Sequence, residues 1–302
     1  MSGGSPMPTR RSVLAGLAAL AACQPSPGAT VRKRVAVTMD DFSLPDDPAL
    51  ALSRDARIRS HLPVQAAAFV TGQYEENPAF DDVLEAWAAD GHIVANHSYS
   101  HMWSNREDTD VVWDDIMRNH RLLRDRPGFQ PYFRFPFLAE GRDRAQQLDY
   151  HARLAQAGYT PAPVTIDTYD WNVTRRLERD GADHRRIRDY WIESVLTRAN
   201  YDQAIAEAVG HPHLPHMMLV HHNALNALFL GDLLDAMRFE GWTVVAAQTA
   251  LDHPAYAGVP PDGYPGGPRS SRWRQAEGLE EAIPFPEALR DYGTPRMDAL
   301  GL

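Results

Sequence analysis

Two histidines four residues apart, His97 and His101, stand in GHIVANHSYSHMW (91–103) with only small or aromatic residues between them. On a turn of helix, positions i and i+4 share a face. Both imidazoles then point at one spot, which suits a single metal ion, and one carboxylate would complete a site with open positions for water and substrate. Taken alone, the pair is equally compatible with a surface coincidence. Adjacent carboxylates occur at Asp40 and Asp41, and at a strand end their repulsion calls for a metal or another cation to neutralise one of them. Three further clusters hold polar groups: Arg134 in FRFPF, Asp167 and Asp170 in TIDTYDWN, and His221 and His222 in MMLVHHN. Taken singly, each has a plainer reading as an arginine closing a strand, a turn, or a satisfied core histidine.

These clusters fall at the ends of short apolar runs that read as buried strands. The runs are Val35–Thr38, Val64–Val70, His92–Ala95, Pro131–Arg134, Tyr159–Ile166, His216–His221 and Trp242–Ala246. Helical patterns alternate with them, clearest over 78–91, 108–125, 142–158 and 224–241, and Gly91, Gly158 and Gly241 stand where a left-handed C-terminal cap is wanted. Strand–helix alternation predicts βαβ units and a parallel sheet. Seven strands with polar C-terminal ends predict an α/β fold with barrel-like closure and the site on that face. After residue 253 a Pro/Gly-rich tail carries eight of the 23 prolines and reads as a surface wrap.

The N-terminal 23 residues have a different character. TRRSVLAGLAALAAC pairs Arg10 and Arg11 with an apolar run too short to span a bilayer. That is the plan of an export signal, with twin arginines suggesting the Tat route. LAAC, ending at Cys23, resembles a bacterial lipobox, so residues 1–23 read as an export signal and 24–33 as a tether. Cys23 is the only cysteine, so no internal disulfide can form, whereas a thiol used for acylation fits. The expected location is the periplasm or cell envelope, with a lipid on Cys23 as membrane anchor. The chain's net charge of −10 argues against nucleic acid as a partner.

Taken together, the clusters resemble the motifs of the polysaccharide deacetylase family (carbohydrate esterase family four), in the right order. They are TMDD (38–41), HSYSH (97–101), RFPF (134–137), DTYDW (167–171) and LVH (219–221), and the resemblance spans residues 34–248, about seventy per cent of the chain. The resemblance implies a distorted, incomplete (β/α) barrel of about seven parallel strands, with a catalytic domain over 34–253 and the tail 254–302 packed on it. It implies Asp41, His97 and His101 as ligands of one divalent metal, most simply Zn²⁺, that polarises an acetamide carbonyl and activates water. Asp40 is then the general base, held by Arg134, and His221 the acid, with Asp167 as its carboxylate partner and Asp170 as the alternative. The backbone N–H near Phe137 is the second oxyanion donor, while Leu219 and Trp171 wall an acetyl pocket. The implied activity is removal of N-acetyl groups from a glycan. Alternatives on the same scaffold are O-acetyl ester hydrolysis, cyclic-amide hydrolysis, or non-catalytic glycan binding by a lipoprotein. His211, His213 and His216 read as a loop before the sixth strand, with a second metal site as the alternative.

Overall fold

A computed structural model describes Met1 and residues 31–260, 266–290 and 293–302. The export signal, the lipobox with Cys23 and most of the tether therefore lie outside the described residues. The first half of the chain runs β1 (Lys33–Asp41), α1 (Pro48–Ser60), β2 (Ala67–Val70), α2 (Phe80–Ala89), β3 (Ile93–Asn96), α3 (Thr109–Leu123), β4 (Phe129–Phe133) and α4 (Arg144–Gln156). It continues with β5 (Thr160–Pro161), β6 (Ile166–Asp167), α5 (Asp170–Leu177), α6 (His184–Ala208), β7 (Pro215–His221), α7 (Ala224–Phe239), β8 (Trp242–Val244) and α8 (Ala247–Leu251). Two short helices follow, α9 (Arg269–Ala276) and α10 (Thr294–Ala299). No helix among the described residues is long and apolar enough to cross a membrane.

Every strand pairing is parallel. Seven strands lie in the order β5-β4-β3-β2-β1-β7-β6, and β8 pairs with the start of β1. β5 and β6 are nearly consecutive in the chain yet terminate opposite ends of that path, so the sheet must curl until its ends approach. No ladder joins them, which makes the barrel incomplete. The single run predicted over Tyr159–Ile166 is thus two strands of two residues each. Pro161 and Pro163 explain the break, because proline has no N–H for a ladder.

The seam between β5 and β6 is covered from the C-terminal segment. Arg269 N–H donates to Val164 O at 2.6 Å, and the Ser270 hydroxyl donates to Thr165 O at 3.0 Å. Arg269 and Ser270 are buried. On the sheet's faces, Val35, Val37, Met39, Val70 and Val94 pack against Leu230, Leu233 and Leu234 of α7 and Trp87 of α2. The strands are apolar on both faces, as expected of a parallel sheet covered by helices.

Candidate active site

Parallel register brings the polar strand ends together. Asp40 is the Cα partner of His221 on one side and of Phe69 on the other. Asp40 is buried, and its Oδ1 accepts from Arg134 Nη1 at 2.7 Å. The Arg134 guanidinium is fully buried, donates also to Thr38 Oγ1 (2.8 Å) and Ala162 O (2.9 Å), and lies 4.0 Å from the centre of the Phe69 ring. A planar fork held at three acceptors cannot swing, so Asp40 is fixed in place with Oδ2 left over.

Asp41 Oδ1 lies 3.3 Å from His97 Nε2 and 3.1 Å from His101 Nε2. His97 Nδ1 is 2.8 Å from Arg134 O, a carbonyl that can only accept, so Nδ1 carries the proton and Nε2 presents its lone pair to Asp41. In a neutral imidazole two acceptors then face each other across 3.3 Å, and Asp41 Oδ1 is buried with no hydrogen-bond partner. A cation resolves that arrangement. Ligand atoms on a tetrahedral ion with bonds of about 2.0–2.1 Å stand about 3.3 Å apart, close to the spacing here. Asp41, His97 and His101 form the one cluster of three such residues among those described.

The two imidazoles do not share a helical turn, as their spacing predicts. Residues 97–101 are a loop in which Ser98 (φ 64°) and His101 (φ 55°) are left-handed. A carboxylate on α3 organises it: Asp115 accepts from the N–H groups of Tyr99 and Ser100 at 3.0 Å each, and from the Ser100 hydroxyl at 2.7 Å. Those N–H donors are tied up by a side chain, where a helix would need them for its own ladder. Asp41, Phe42, Phe137, Leu138 and Tyr169 are also left-handed, completing the set of such non-glycine residues among those described. All seven lie in or beside one cleft. Strain of this kind costs about 1–3 kcal/mol per residue and gathers where function requires it.

His221 is held by Asp170, and the predicted partner, Asp167, is displaced. His221 Nδ1–H donates to Asp170 Oδ1 at 2.7 Å, and its backbone N–H donates to Asp170 Oδ2 at 2.7 Å. Asn223 (2.9 Å) and Asn226 also donate to Oδ2. Register explains the choice: Asp167 pairs with Leu219, two residues short of His221, or about 6.6 Å along the strand. The chain then turns at left-handed Tyr169 and starts α5, which carries Asp170 under the imidazole. Asp167 instead accepts from Tyr169 N–H at 3.0 Å and lines the cleft. Burial pulls the His221 imidazole down, but the Asp170 charge and hydrogen bond, joined by Asp41 and Asp40, outweigh it and push it up to about 10. His221 Nε2 lies 3.9 Å from Asp41 Oδ2, on the side away from His101.

The cleft measures about 560 Å³ and is lined by Asp40, Asp41, His97, His101 and His221 together with aromatic walls. Phe137, half-exposed, stacks on Trp103 at 4.5 Å and touches the His101 ring. Across from it, Trp171 packs beside Tyr169 at 5.1 Å, and Leu219 is buried in the floor. Asp115, Asn223, Asn226, Trp103 and Arg175 belong to or support this site without a motif to flag them. His211, His213 and His216 do not converge. His216 is buried between Thr165 Oγ1 (3.1 Å) and Gln203 Oε1 (3.0 Å), while His213 Nδ1 accepts from Arg32 N–H. Burial drives the His216 imidazole down to about 3, so it stays neutral.

Residues 28–161 match the family model described as polysaccharide deacetylase. Over this segment the chain is similar to the polysaccharide deacetylases. The chain is 27% identical over 140 residues to a peptidoglycan-N-acetylglucosamine deacetylase of Bacillus cereus, covering 46% of this chain and 47% of that protein. It therefore spans about half the length of that relative. Among solved structures, a polysaccharide deacetylase from Bacillus cereus aligns over 71% of this chain and 92% of its own, with a TM-score of 0.53 at 20% identity. A mutant of a protein described as a pseudoenzyme of carbohydrate esterase family four aligns over 73% of this chain and 68% of its own, with a TM-score of 0.52 at 19% identity. The deacetylase fold is thus shared with a protein called a pseudoenzyme, and only the site's own residues can argue for activity. The family match includes Asp40, Asp41, His97, His101, Arg134 and Phe137 but ends before Asp170 and His221.

Proposed function

We propose that this chain is a metal-dependent hydrolase that removes N-acetyl groups from a glycan. The observation that carries the reading is the pair of clamped proton-transfer groups flanking the ligand cluster. Asp40, fixed by Arg134, lies 3.6 Å from His97 Nε2; His221, fixed by Asp170, lies 3.9 Å from Asp41. Asp41, His97 and His101 would hold the cation, proposed as Zn²⁺, which supplies Lewis-acid activation of the acyl carbonyl and of water. Asp40 Oδ2 takes the proton of the attacking water, and Arg134 keeps that carboxylate aimed. His221, cationic because Asp170 holds its Nδ1–H, delivers a proton from Nε2 to the departing amine. The Phe137 backbone N–H is the proposed second donor to the developing oxyanion. Trp171 and Leu219 wall the space for the acetyl methyl, and the half-exposed Phe137, backed by Trp103, offers apolar surface to a sugar ring. We place the reaction in the cell envelope on the strength of Arg10, Arg11 and Cys23 in the sequence, with a lipid on Cys23 as the proposed anchor.

The test is acetate release by a chain lacking residues 1–23, offered chitooligosaccharides, peptidoglycan fragments and an acetylated ester. Metal-dependent release from an N-acetyl sugar that disappears in Asp40→Asn is the expected result. Release from the ester alone would move the function to O-deacetylation.

A further inference from the structure

Among the described residues, Arg175 is the only arginine or lysine that lines the cleft. It is exposed, and among the described residues no carboxylate lies within ion-pair distance of it. Its neighbours differ: Arg176 pairs with Asp298 at 2.6 Å and Arg198 with Asp202 at 2.7 Å. Arg175 is one helical turn beyond Trp171, so the two side chains share a face of α5. The guanidinium carbon lies 5.3 Å from the centre of the indole ring, which is itself 39% exposed. A flat apolar ring and an unpaired cationic fork therefore stand side by side at the mouth of the site. They stand on its amine-leaving side, because Asp170, the residue before Trp171, is the one that holds His221.

We propose, resting on the deacetylase reading, that Arg175 and Trp171 form a subsite for a carboxylate-bearing sugar, and that the preferred substrate is an acidic N-acetylated glycan. The indole takes the sugar's apolar face, and the guanidinium pairs with the carboxylate in the two-bond geometry that planar forks favour. The other arginine stacked on a tryptophan near this site, Arg106 on Trp103 at 3.7 Å, does not line the cleft. It serves as the internal control.

The experiment compares two probes: neutral N-acetylglucosamine tetramer, and peptide-stripped peptidoglycan glycan strands, whose ether-linked lactyl groups carry carboxylates. Both acetate release and calorimetric binding are followed. A charge-assisted contact of this kind predicts that Arg175→Gln raises KM and Kd for the acidic strand about tenfold relative to those for the tetramer. Arg106→Gln leaves that acidic-to-neutral ratio in place, and added salt erodes the native preference but not that of Arg175→Gln. An unchanged acidic-to-neutral ratio in Arg175→Gln, or a native chain that prefers the tetramer, overturns the subsite. Absence of acetate release from both probes overturns the deacetylase reading, and the binding ratio then still decides the subsite.

Discussion

Two histidine-rich stretches of this chain meet opposite fates. His97 and His101 sit on a strained loop beyond the end of β3, where an aspartate across the sheet leaves a buried oxygen without a donor. His211, His213 and His216 approach or enter β7 at the other end of the barrel, and there each imidazole finds a different neighbour. Residue type is the same, and the count of histidines is higher in the second stretch. What differs is position along a parallel strand: the C-terminal ends of β1, β3, β6 and β7 converge, and the start of β7 lies in the packed floor. Convergence places two imidazoles where a cation could be held; enclosure, at His216 alone, makes a neutral core group.

Removing a member of the first set carries the largest expected effect. His101→Ala is expected to abolish stoichiometric zinc binding, read by elemental analysis of the purified chain, and to lower acetate release by at least about a thousandfold, while His216→Gln leaves both in place. Next comes the contrast between the two aspartates before Trp171. Asp170→Asn is expected to cost about a hundredfold or more in kcat, because the imidazole loses both its tautomer and its charge support. Asp167→Asn is expected to cost less than about tenfold; equal losses in the two variants would mean that the hydrogen bond to His221 does not decide the role. The second histidine set answers to stability. His216→Ala opens a cavity and leaves Gln203 Oε1 without its His216 partner in a closed site, and is expected to cost about 2–4 kcal/mol in denaturant unfolding with kcat unchanged.

The smallest effect expected is a pH dependence of folding. His216 is held neutral, down to about 3 from an ordinary value of 6.5, so its contribution is complete above pH 6.5 and falls away as pH drops toward 3. Glu140 adds a lower step. Burial raises this carboxyl, but the His151 hydrogen bond and the Arg272 and His151 charges outweigh that and hold it at about 2. Its contribution is complete above pH 4.5 and is lost as pH falls through about 2. Thermal melts from pH 7.5 to 2 should therefore decline in two overlapping stages, and His216→Gln should remove the upper one.

The strand ends were readable because Asp40, Asp41, His97, His101, Arg134 and His221 each follow an apolar run, and a parallel sheet aligns such ends. The barrel class followed from the same alternation. Asp167 and Asp170 could not be ranked this way, since the choice turns on the register of a two-residue strand and on a left-handed Tyr169. Nor could the spacing of His97 and His101 disclose a loop, because i and i+4 fits a helix equally well and the organising carboxylate, Asp115, lies on α3. The split of β5 from β6 was written in Pro161 and Pro163, two prolines that a continuous strand would not tolerate. Arg175 gives no signal in the sequence at all; it matters because of what fails to lie beside it.

The central claim is that one cation on Asp41, His97 and His101 works with Asp40 and His221. Its most direct test is acetate release by the metal-stripped chain as Zn²⁺ is added in fractions of an equivalent, with an N-acetylated glycan oligomer as substrate. A linear rise is expected that ends at one ion per chain and is absent in Asp40→Asn despite unchanged zinc binding. Full activity in the stripped chain, or activity that persists in Asp40→Asn, would contradict it.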